Sequence, residues 1–134
     1  MKTTTQLRLQ QLRDGLLNLH KTLVDSERLS YEQTFGPIQS SNQFLQLLMG
    51  DPWFAWLHPI SELIVSMDEV LDGKEPLSQS MADAMFKQAR LLLVASEEGD
   101  GFPKHYYEAL QRDPDVVLAH ADVANSLRPP KTQA

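Results

Sequence analysis

Five leucines dictate the first thing this chain must form: Leu9, Leu12, Leu16, Leu19 and Leu23 step by three, four, three and four residues. That spacing lines one narrow face of an α-helix, whereas in a strand it would scatter them over both faces. The pattern predicts a helix that runs to about Thr34, ended by Gly36, which tolerates a left-handed turn, and Pro37, which has no amide to donate. The stripe fades after Val24, where Ser26 and Ser30 occupy its register, although Tyr31 and Phe35 extend apolar contact towards the end. Gly15 lies inside the helix at a cost of about 1 kcal/mol against alanine, which predicts either a helix packed close against it or a locally weak turn.

The rest of the chain points the same way. Aromatics make up only 7% of residues, β-branched residues are sparse, and no segment alternates apolar and polar long enough for a half-buried strand. Ser40 and Gln43 have capping-box spacing ahead of a short apolar helix with Phe44, Leu45, Leu47, Leu48 and Met49. Asp51 and Pro52 then supply an N-cap and a first helical residue. Beyond them Trp53, Leu57, Ile60, Ile64, Met67 and Leu71 keep one helical register straight through Pro59. That continuity predicts a long central helix kinked between Ala55 and Pro59, because Pro59 has no amide for the Ala55 carbonyl. Two shorter helices, the second capped by His58, are the alternative.

Ser78 caps a further helix with Met81, Ala82, Met85, Phe86, Ala89, Leu92 and Leu93 on a wide stripe, and Glu97 to Gly101 reads as a solvated turn. Two more helices follow, from about Pro103 to Arg112 and, after Asp113 and Pro114, to Leu127. The expectation is an all-α, single-domain helical bundle, a four-helix-type core with additional short helices. It occupies residues 7–128 between flexible ends at 1–6 and 129–134, with a radius of gyration of about 14 Å.

Several chemistries are excluded or disfavoured by composition. The chain has no cysteine, so disulfides, iron–sulfur clusters and thiolate sites are excluded. A net charge of −6 argues against nucleic acid or an anionic membrane as partner. No apolar run has the length of a membrane span or a secretory signal, which predicts a cytoplasmic protein. Carboxylate-bridged metal bundles need a Glu-x-x-His on each of two helices. His58 with Glu62 and His105 with Glu108 are isolated pairs, so no metal and no cofactor is expected.

The most unusual segment is Asp51 to Pro59, DPWFAWLHP, which holds both tryptophans of the chain, a phenylalanine and His58 beside a proline. It reads as a central helix packed on all sides, or as a helix with a tryptophan face left open as a groove. A second candidate is the pair Tyr106 and Tyr107. From Tyr106 and Ala109 through Pro114 and Asp115 to Ala119 and His120, the chain resembles the junction between two tetratricopeptide repeats. No second copy lies upstream, so the likeness reads as convergent helix-turn-helix chemistry. Residues 51–77 carry one basic group against six acidic ones, a solvated acidic face or a docking site for a basic partner.

FLQLLMGDPWFAWLHPISELI and LQRDPDVVLAHADV together resemble segments of small bacterial all-helical proteins of uncharacterised function. That resemblance implies a helical fold and brings no activity, cofactor or site residue with it. With no catalytic motif, the leading expectation is a non-enzymatic protein acting by protein–protein interaction or self-association, through Trp53, Trp56 and His58 or through Tyr106 and Tyr107. The alternative is a small-molecule or metal-binding bundle with a site near Trp53, Trp56 and His58, joined by His20 or His105. Convergence of histidines on one cavity is the feature that separates the two.

Overall fold

The computed structural model describes residues 3–128. Its first helix, α1 (Thr4–Phe35), opens on a complete capping box, in which the Thr3 hydroxyl accepts the Gln6 amide at 3.1 Å and the Gln6 side chain accepts the Thr3 amide at 2.8 Å. Residues 4–6, placed outside the helical domain by the sequence reading, are therefore helical. The expected flexible tail at 129–134 lies outside the described residues. Gly36 ends α1 at φ 95°, a conformation that favours glycine, and its amide reaches the Glu32 carbonyl.

Six further helices follow: α2 (Ser41–Gly50), α3 (Pro52–Ala55), α4 (His58–Asp72), α5 (Gln79–Leu92), α6 (Gly101–Arg112) and α7 (Pro114–Leu127), and no strand occurs among the described residues. The caps read from sequence at Ser40, Asp51, Ser78 and Asp113 all accept an amide of the following turn. At Ser40 the box is only half formed, because Gln43 takes the Gln39 amide instead of closing back on Ser40.

The long helix expected across Pro59 is two helices. Trp56 and Leu57 keep right-handed backbone angles, but the bonds there shorten to three-residue turns, Leu57 amide to Phe54 carbonyl and Ile60 amide to Leu57 carbonyl. The cause is the missing Pro59 amide, which breaks the ladder and leaves Pro59 in the first turn of α4. His58 is not its cap. Leu57 holds that position and makes no side-chain capping bond.

The axis of the core is α1 and not the Pro59 segment. All five stripe leucines are fully buried, and α1 touches α3, α4, α5, α6 and α7. α4 also meets α5 and α5 meets α7, and the helices gathered on α1 share one apolar core in a single domain. At Gly15 the α7 helix comes close, since a Cβ built there would lie 3.3 Å from Val123 Cγ2. Packing against a neighbouring helix, one of the two outcomes its position predicted, is what the fold shows. No helix among the described residues is long and apolar enough to cross a membrane.

Candidate functional site

Among the described residues, α2 is the one helix without a buried residue, although Phe44, Leu47 and Leu48 lean on the core. Between it and the bundle lies a cleft of about 340 Å³, bounded by His20 and Val24 of α1, Leu48 and Met49 of α2, Phe54 of α3, Leu57, and His58 and Ser61 of α4. Two of the candidate histidines meet here. His58 donates its Nε2–H to the Leu48 carbonyl at 3.0 Å, which ties α4 to α2. Ser61 donates to the His58 carbonyl at 2.9 Å. Burial, and then the neighbouring His58, lower the pKa of His20, so it enters the cleft as a neutral hydrogen-bonding group.

His105 does not join them. It is exposed and stacks on Trp56, with ring centroids 5.3 Å apart and planes 14° from parallel. Trp56 is itself buried, edge-on to Phe102, whereas Trp53 is half-buried and meets Tyr31 and Phe35 edge-on. The indole N–H of each tryptophan is buried without an acceptor among the described residues. Trp53, Glu27, His105 and Arg112 line a second hollow of about 200 Å³. Among the described residues, no group of three or more side chains is gathered as metal ligands would be.

Tyr106 is fully buried, and its hydroxyl lies 2.6 Å from His120 Nδ1 across the α6–α7 contact; Tyr107, beside it, is half-buried. Burial raises the phenol well above its usual pKa, which keeps the proton on its oxygen, and lowers the imidazole. The sequence singled out each of these residues but not their pairing, which only the turn between α6 and α7 creates.

His20 and His120 both bind a proton less readily in the folded chain than in the unfolded one, where the pKa is 6.5. Their contribution is therefore neutral well above that value and becomes destabilising as pH falls through it towards the depressed folded values. Urea midpoints measured from about pH 7 to about pH 5 should fall, and a His20→Gln, His120→Gln double variant should fall with a shallower slope. Equal slopes would contradict this assignment.

No family model, curated protein or solved structure matches the chain.

Proposed function

We propose that the protein is a non-catalytic binding module that takes a small, largely apolar organic molecule in the cleft between α1, α2 and α4. The observation that carries this reading is the convergence of His20 and His58 on one apolar hollow, the feature that separates a ligand-binding bundle from a pure interaction module. A volume of about 340 Å³ falls within the range of small-molecule sites, and the polar groups are few and placed at the wall. The neutral imidazole of His20 suits a ligand recognised by a hydrogen bond and not by charge. α2, with nothing of its own buried, is the wall that most easily yields to a ligand.

Protein purified gently from cells should show, in native mass spectrometry, mass in excess of the 15.2 kDa chain. Ser61→Phe, which fills the cleft from α4, should abolish that excess. If both proteins run at the chain mass, and indole and 2-naphthol leave the His20 and His58 ring resonances unmoved, the reading fails.

A second reading rests on the exposed apolar side chains of α2, where Leu45 is 53% exposed and Met49, at the edge of the cleft, is 72% exposed. Phe35 at the end of α1 is also open. Such a surface suits a protein partner or a second copy of this chain. Loss of self-association, seen by sedimentation, in a Leu45→Asp variant would favour it over the ligand reading.

A further inference from the structure

The end of α7 farthest from Asp113 gathers positive charge in a chain whose net charge is −6. Arg90 donates Nη2–H to the Leu127 carbonyl at 2.7 Å, and Arg8 donates to the Arg128 carbonyl at 3.4 Å, so two guanidiniums satisfy carbonyls that the helix end leaves open. Arg8 also lies over the Phe86 ring, with Arg90 farther off the same ring. Arg128 follows directly. Among the described residues none of these three arginines pairs with a carboxylate, whereas Arg13, Arg28 and Arg112 all do.

Next to this cluster, between α5 and α7, is a hollow of about 390 Å³ whose floor is Leu93, Val123, Ala124 and Leu127 and whose rim holds Arg90, Arg128 and His120. The Tyr106 hydroxyl meets His120 Nδ1 at 2.6 Å, and the same imidazole lines this hollow. The rim thus offers an imidazole ring and two guanidiniums, one of them with no side-chain partner among the described residues. An anion is the group that satisfies both guanidiniums and relieves the repulsion among the arginines. The apolar floor asks for a hydrocarbon body attached to it.

We infer that this hollow binds an amphipathic organic anion, a carboxylate on a short apolar chain or ring, with Arg90, Arg128 and the His120 ring at its charged end and Leu93, Val123 and Leu127 beneath its apolar one. This site is separate from the His20–His58 cleft, and it fails or stands independently of the function proposed there.

Octanoate, octanol and acetate are the probes, followed by NMR on the full chain. Octanoate should move the His120 ring signals and the Val123 and Leu127 methyls, and bind about tenfold or more tightly than either octanol or acetate, in a range reaching on the order of 5 mM. Arg128→Gln should weaken octanoate at least about fivefold and leave the unfolding midpoint unchanged, since the Arg128 side chain is exposed. The inference is overturned if octanol binds as tightly as octanoate, if Arg128→Gln has no effect on it, or if octanoate moves only the His20 and His58 signals.

Discussion

Leu16→Ala should lower the stability of the protein by about 3–4 kcal/mol, seen as a urea midpoint lower by roughly 2 M with an unchanged slope. Leu16 is fully buried on the helix that touches five of the others, so the removed methyls leave a void that several elements must close at once. Where surroundings collapse poorly, the cavity adds to the lost transfer energy. The neighbouring Leu17, off the buried stripe, is 44% exposed. Leu17→Ala should stay within about 0.5 kcal/mol of the parent. Equal losses at the two positions would mean that α1 is not buried along the leucine stripe.

Arg112→Met is expected to have the second large effect, about 2 kcal/mol. Arg112 Nη2 reaches Glu27 Oε1 at 2.9 Å and Ser26 Oγ at 3.1 Å, joining α6 to α1. Glu27 is buried, so removing its partner strands a carboxylate away from water. The loss stays below that of a fully enclosed pair because the Arg112 side chain is 36% exposed and partly solvated. Glu27→Leu should cost less, since Arg112 can turn to water. Joining the two changes should recover stability relative to Arg112→Met alone, with a coupling of about 1–2 kcal/mol in a double-mutant cycle. Additive losses would show that the two groups act separately.

The parts of this fold written in short stretches of sequence were legible there. The leucine stripe, the caps at Asp51 and Asp113 and the stop at Gly36 depend on residues within a turn or two of one another, and the structure has them all. Pro59 was harder, because an unbroken apolar register and a missing amide pull in opposite directions and the register says nothing about hydrogen bonds. Thr3 and Gln6 were missed although they have capping-box spacing, since they precede the first apolar residue of the helix. The site was less legible than the fold. Ser26 looked like part of a fading stripe and Glu27 was not singled out, and their burial makes sense only once Arg112, 85 residues from Glu27, is placed beside them. His20 and His58 were named as candidates for one site, but their meeting depends on how α4 crosses α1, which neither helix encodes by itself.

The tight approach of Gly15 to Val123 joins the first helix to the last, and this is the most extensive helix pairing in the molecule. During synthesis the leucine stripe leaves the ribosome early, but one flank of it has no cover until the final helix emerges, roughly 110 residues later. A chain stalled or truncated before Pro114 keeps that greasy surface open to chaperones and proteases, so partial products of this protein are marked for capture by the same geometry that stabilises the finished one.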